Sequence, residues 1–207
     1  ISGAISKKPL IETASMTVRE VIRHRSFYLL IVAFTLTALV GSSLNLHVIP
    51  YLSDKGLSAG LTVSVNTVLF SCGAIGALLV GFVVERFPVR FVLSAIFILG
   101  AVSYIILLNV NGAVIAILWA VYAGVVRGGG GVLTQIIYAD YYGRRSLGAI
   151  RGLTSPTSMA ANSIGPLLAA LAFDMRGDYY SIFALFGILM VLASVSIFVA
   201  RPPSSPV

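Results

Sequence analysis

Long apolar stretches alternate with short polar connections along almost the whole chain. A membrane-spanning helix needs about 20 mainly apolar residues, and six stretches reach that length. They extend over about Phe27–Pro50, Ala59–Val84, Arg90–Asn109, Ala113–Tyr138, Gly152–Phe173 and Tyr179–Ala200. The connections are short, so consecutive helices must run antiparallel. The pattern predicts an all-α transmembrane fold, with a six-helix bundle over residues 27–200, a polar and basic segment over residues 1–26 and a short tail over residues 201–207.

Composition indicates what surrounds this bundle. Only 10% of the 207 residues are charged and the mean hydropathy is +1.00, whereas a soluble domain carries about 25% charged residues. We therefore expect the lipid bilayer to cover the apolar surface. The net charge of +7 does not indicate a nucleic-acid partner, because the basic residues do not form one patch or stripe.

The basic residues instead predict the orientation of the bundle. Lys55 and Arg176 fall at one end of the six-span plan, each beside an acidic neighbour. All the other basic residues except Arg127 fall at the opposite end: Lys7, Lys8, Arg19, Arg23, Arg25, Arg86, Arg90, Arg144, Arg145, Arg151 and Arg201. Because cytoplasmic connections carry the excess of Lys and Arg, we expect both termini of this segment to be cytoplasmic.

The connection after the second span carries the motif GFVVERFPVR, from Gly81 to Arg90. It resembles the signature G-x-x-x-D-R-x-G-x-R/K of the major facilitator superfamily (MFS), which lies between the second and third helices of each six-helix half. Gly81, Arg86 and Arg90 match the signature. Glu85 stands where the signature has Asp, and Pro88 stands where it has Gly.

A second polar run follows the fourth span, from Asp140 to Gly152. It includes Gly143, Arg144 and Arg145. With the Gly-Pro pair of the fifth span, this run resembles the cytoplasmic connection between helices 10 and 11, and helix 11 itself, of bacterial facilitators in the monocarboxylate-porter-like branch.

The resemblance implies that this chain comprises helices 7–12, the C-terminal half of an MFS fold. Residues 1–26 would then be the end of the central cytoplasmic loop, and the missing N-terminal six-helix half would be a partner. The expected location is the bacterial inner (plasma) membrane. The implied activity is secondary transport by alternating access of a small solute, favoured to be a small organic anion such as a monocarboxylate, without a cofactor. Efflux of amphipathic drugs or toxic compounds is the alternative.

Two readings are open for the charged residues of both loops. The resemblance implies that Gly81, Glu85, Arg86 and Arg90 latch against the other half and gate transport, and the second run, Asp140, Gly143, Arg144 and Arg145, joins them as a candidate gating loop. Glu85 follows the C-terminus of its helix, where the helix dipole disfavours an anion, so it needs a positive partner. Alternatively, these charges only lie at the membrane interface and set the topology.

Arg127 lies near the middle of the fourth span. A charge there costs about 2.5–3.5 kcal/mol on insertion scales, so it usually faces a cavity or a partner. No acidic residue lies at similar depth in any span. Arg127 is therefore a candidate ligand for an anionic substrate, or a structural ion-pair partner of an acid outside this chain.

Small residues predict where helices approach closely. Gly73, Ala77 and Gly81 recur at four-residue steps in the second span, which is typical of close helix packing in membranes. The glycines at 128–131 follow Arg127 and indicate either a hinge or a close helix contact.

Uncharged polar residues add candidates for a substrate cavity. These are Asn45, Asn66, Gln135, Ser158 and Asn162. The alternative role for each is an interhelical hydrogen bond, which is common in membranes. His47 is either a proton-coupling group, since its ordinary pKa is near 6.5, or a polar anchor near the outer end of its span.

No enzyme motif is found in the sequence. There is no HExxH pair and no Lys- and Ser/Thr-bearing phosphate loop, so we expect no catalytic residues. The single Cys72 gives no disulfide or cysteine metal site. A channel would more often show a repeated filter sequence. A half-sized carrier working as a homodimer is a further alternative to the two transport functions.

Overall fold

The computed structural model describes residues 16–144 and 146–203. These residues form helices and connections without a β-strand. In chain order the helices are α1 (Val18–Val21), α2 (Arg25–Asp54), α3 (Ala59–Val84), α4 (Val89–Leu108), α5 (Ala113–Tyr142), α6 (Leu147–Arg176) and α7 (Tyr180–Val199). The prediction of an all-α transmembrane bundle is confirmed.

The helix bounds show where hydropathy is informative. Helix α3 has the predicted bounds, and α4 and α7 differ by a single residue at each end. Helices α2, α5 and α6 each contain 30 residues and extend into polar sequence at their ends. Apolarity marks only the lipid-facing part of a helix, whereas the backbone hydrogen bonds continue until a turn ends them.

Helix α6 differs from the other five long helices. Each of the five is long and apolar enough to cross a membrane. Helix α6 is long enough but lacks a comparably apolar stretch. Its sequence alternates apolar residues with Ser, Thr, Asn and Gly, which indicates that one of its faces does not contact lipid.

The six long helices form an arc. Helix α5 packs mainly on α3 and α4, α7 packs on α4 and α2, and α2 packs on α6. The order through space is therefore α6, α2, α7, α4, α5 and α3. The helices at the two ends of the arc, α6 and α3, have no extensive contact with each other, so the bundle is open on one side.

Helices α3 and α5 approach so closely that their backbones touch. A Cβ atom at Gly128 would overlap the carbonyl group of Gly73, and a Cβ atom at Gly76 would overlap the backbone of Val125. The close helix contact predicted for the glycines after Arg127 is thus observed at Gly128. The predicted stripe on the second span needs correction at one member, since a Cβ atom at Gly81 would meet nothing within 4 Å.

The apolar core is divided into two clusters. One contains Trp119, Phe183 and Phe186 and includes residues next to the connection between α2 and α3. The other contains Leu30, Ile137 and Tyr142 and lies towards the opposite end, where α5 is connected to α6. Division of the core in this way leaves room for a cavity between the two ends of the bundle.

Part of the predicted N-terminal loop is ordered against this second cluster. Met16 donates its backbone N–H to the carbonyl of Tyr142 at 3.1 Å, and Val21 of α1 is fully buried. Lys7 and Lys8 lie outside the described residues.

Candidate functional site

A cavity of about 930 Å³ lies inside the arc and is lined mainly by α2, α4, α5 and α6. Its lining includes five of the six predicted cavity residues, namely Asn45, Arg127, Gln135, Ser158 and Asn162. Aromatic and apolar side chains such as Phe34, Phe97 and Met159 complete the wall. The size and mixed lining are typical of a small-molecule site.

The sixth candidate, Asn66, does not lie with the others. Helix α3 contributes no residue to this cavity, and it packs mainly against α5. The Asn66 side-chain oxygen is nevertheless buried and has no hydrogen-bond partner among the described residues. The position of Asn66 on a face of its helix was not enough to predict whether it lines the cavity. That depends on which helix packs against this face.

Arg127 is half-buried at the middle of α5. Its guanidinium lies 5.9 Å from the centre of the Phe70 ring. One guanidinium nitrogen, Nη1, is buried and has no hydrogen-bond partner in the described part of the chain. An unpaired buried donor of this kind costs about 1–3 kcal/mol, and more when it is charged, so an anion or water is needed beside it.

Arg151 is a second arginine in the same cavity and was not predicted as a site residue. It reaches from α6 to α5, where Nη2 donates to the backbone carbonyl of Gln135 at 3.0 Å. Its Nε is buried and has no partner among residues 16–144 and 146–203. In the described ranges no acidic side chain lines the cavity, so two positive charges face it without a negative one.

A sequence signal for Arg151 did exist. The polar face of α6 formed by Ser158, Asn162 and Gly165 continues backwards through Ser155 to Arg151 at steps of three and four residues. From the sequence, Arg151 was used only to predict the orientation of the bundle, because its Cα lies near the end of the helix. Its long side chain nevertheless points into the cavity.

The signature loop lies at the surface. Gly81, Glu85 and Arg86 are exposed, and the Arg90 guanidinium lies 4.6 Å from the centre of the Phe91 ring. Within the part of the chain that the structure describes, neither Arg86 nor Arg90 forms an ion pair with Glu85.

The second polar run includes the end of α5, the connection to α6 and the first residues of α6. Gly143 has φ of +76° and donates its N–H to the carbonyl of Ala139, and a positive φ of this kind favours glycine. Asp140 and Arg144 are exposed. Arg145 lies outside the described residues.

His47 is buried between helices. Its Nε2–H donates to the carbonyl of Pro166 at 3.1 Å, since a carbonyl can only accept. The Tyr179 hydroxyl lies 3.2 Å from Nδ1 and donates to it in the neutral ring. Both ring nitrogens are thus used in contacts that join α2 to α6 and to the start of α7.

Metal ligation has no structural support in the described ranges, since no group of three or more His, Cys, Asp or Glu residues is arranged to hold an ion.

Comparison with known proteins gave one match and one negative result. No match was found among curated proteins. Residues 30–207 match the family model described as Major Facilitator Superfamily.

Proposed function

Because the chain belongs to the major facilitator superfamily, which is a family of membrane transporters and not of enzymes, we propose that it is the C-terminal six-helix half of a secondary carrier for a small organic anion. The missing N-terminal half would cover the open side of the arc. Transport would proceed by alternating access, with the two halves rocking around a site between them.

The charge of the cavity carries the proposal for the substrate. Arg127 and Arg151 both line it, and each has a buried nitrogen without a hydrogen-bond partner in the part of the chain that the structure describes. Arginine presents several N–H donors in a planar arrangement that matches a carboxylate. At the low effective dielectric of a partly buried site, such a pair of charges attracts an anion strongly and repels a cation.

The monocarboxylate-porter-like branch supports the same substrate class by resemblance only. The apolar part of the wall, with Phe34, Phe97 and Met190, suits the hydrocarbon portion of a small carboxylate. The same apolar groups also support the second candidate function, efflux of amphipathic compounds. A neutral or cationic compound would not need either arginine.

The test is counterflow uptake of a panel of small carboxylates by the intact transporter in proteoliposomes. We expect uptake by the wild type and a loss of about tenfold or more in kcat/KM for Arg127→Gln, because a hydrogen bond to a charged group contributes about 1.5–3 kcal/mol. Arg176→Gln is the matched control, since it removes an exposed arginine at the end of α6.

Two results would contradict the proposal. One is normal carboxylate uptake by Arg127→Gln with unchanged affinity, which would make Arg127 a structural residue. The other is no carboxylate uptake by folded wild-type protein together with efflux of a cationic dye that is insensitive to Arg127→Gln, which would favour the drug exporter.

A further inference from the structure

We propose that Arg151 and Tyr138 form a second anion-binding site in this cavity, on the cytoplasmic side of Arg127, where the carboxylate of the transported anion binds before and after it reaches Arg127. This inference rests on the proposed function and adds to it a site that Arg127 does not form.

The two arginines lie at different depths. The Arg151 guanidinium contacts the carbonyl of Gln135, which is eight residues beyond Arg127 along α5. At 1.5 Å per residue this corresponds to about 12 Å along the helix axis. A single small carboxylate group cannot bridge that separation, so each arginine would bind it in turn.

Tyr138 lies near Arg151, and its hydroxyl has no hydrogen-bond partner among the described residues. Its side chain is only 5% exposed and lines the cavity. The hydroxyl is buried and forms no hydrogen bond to any described residue. The ring packs edge-on against Phe34, with the ring centres 5.4 Å apart, so the hydroxyl is held in place.

Nearby polar groups do not satisfy these donors. The Thr154 hydroxyl lies near the Tyr138 hydroxyl, but it donates to the carbonyl of Arg151 at 3.2 Å and forms no hydrogen bond of normal geometry with Tyr138. Asp140 is exposed and is not among the residues that line the cavity. Buried polar groups are normally paired, and a carboxylate could accept from both Arg151 Nε and the Tyr138 hydroxyl. If Arg151 only connected α6 to α5, that role would explain its contact with Gln135. It would not explain the Tyr138 hydroxyl, which has no hydrogen-bond partner among the described residues.

The test measures KM from each side of the membrane separately. The intact transporter is reconstituted in one orientation into vesicles of phosphatidylcholine alone, where no anionic lipid headgroup competes for the site. We expect Arg151→Gln and Tyr138→Phe each to raise KM from the cytoplasmic side about tenfold, with KM from the outer side within about twofold of the wild type. Arg127→Gln should impair transport from both sides.

Controls separate binding from folding and from general charge. Tyr138→Phe removes only the unpaired hydroxyl, so its thermal unfolding midpoint should match that of the wild type. Arg23→Gln, which removes an exposed arginine just before α2 at the same end of the bundle, should leave both KM values unchanged.

Three outcomes would overturn the second site. The first is an unchanged KM on both sides for Arg151→Gln and Tyr138→Phe, and the second is an equal increase in KM on both sides. The third is an effect seen only when anionic lipid is present, which would mean that Arg151 binds a lipid headgroup. If Arg127→Gln still abolishes carboxylate uptake in these cases, the proposed function stands. If the wild type transports no carboxylate, both proposals fail.

Discussion

At the scale of single residues, the charged side chains fall into two groups: some face the cavity, and others are exposed at the ends of the helices. Arg127 was predictable, since a charge at the middle of an apolar span needs a special environment. Arg151 was not predicted, because its position in the sequence is also that of an ordinary cytoplasmic arginine. The direction of its side chain decides its role, and that direction depends on the packing of α6 against α2.

His47 leads to a prediction at the same scale. Because both of its ring nitrogens are used in hydrogen bonds to Tyr179 and Pro166, we expect it to act as an anchor. His47→Gln should lower the free energy of unfolding by about 1–3 kcal/mol, since buried groups lose their partners. Carboxylate uptake measured between about pH 5 and 8 should keep its wild-type pH profile.

Tyr179→Phe is the control for His47, since it removes one of the same hydrogen bonds without removing the imidazole. It should also destabilise the protein while leaving the pH profile intact. A flattened pH profile in His47→Gln, with unchanged stability, would instead identify His47 as the proton-coupling group.

At the scale of elements, the contact between α3 and α5 depends on glycine. Both helices are rich in small residues, so a close approach was predictable. The register of the contact was not predictable, because Gly81 and Gly76 were both possible contact residues on α3. The observed contact uses Gly73 and Gly76 against Gly128 and Val125.

Two glycines of α5 allow a matched test of this contact. Gly128→Ala should lower the free energy of unfolding by about 1–3 kcal/mol, because the added methyl group overlaps the backbone of Gly73. Gly131→Ala should be neutral or slightly stabilising, since a Cβ there meets nothing within 4 Å and alanine favours the helix. Thermal or denaturant unfolding in detergent measures the stability of both variants. Equal changes in stability for Gly128→Ala and Gly131→Ala would contradict the proposal that this contact sets the register.

At the scale of the whole molecule, the arc has one open side and an uneven distribution of charge. The basic residues at the ends of the long helices lie mostly at the end where α5 is connected to α6. By the positive-inside rule this end should be cytoplasmic. The proposed second anion site would then be the first positive group that a cytoplasmic substrate meets inside the cavity.

Labelling of single cysteines tests this orientation. In a Cys72→Ser background, Ser53→Cys should react with a membrane-impermeant maleimide in intact cells, since Ser53 is exposed near the end of α2. Phe87→Cys should react only after permeabilisation, because Phe87 is 59% exposed in the opposite loop. Both variants should react in permeabilised cells, and the reverse pattern in intact cells would invert the assigned topology.

The sequence alone determined the membrane environment, the helical class, the positions of the long helices and the unusual character of Arg127. These features follow from local properties, since apolar length and charge act on each segment separately. The order of helices in the arc, the exclusion of Asn66 from the cavity, the inclusion of Arg151 and the glycine register of α3 on α5 were decided by tertiary structure. Each depends on which helix lies opposite, and helix periodicity defines the faces of a helix without defining its neighbours.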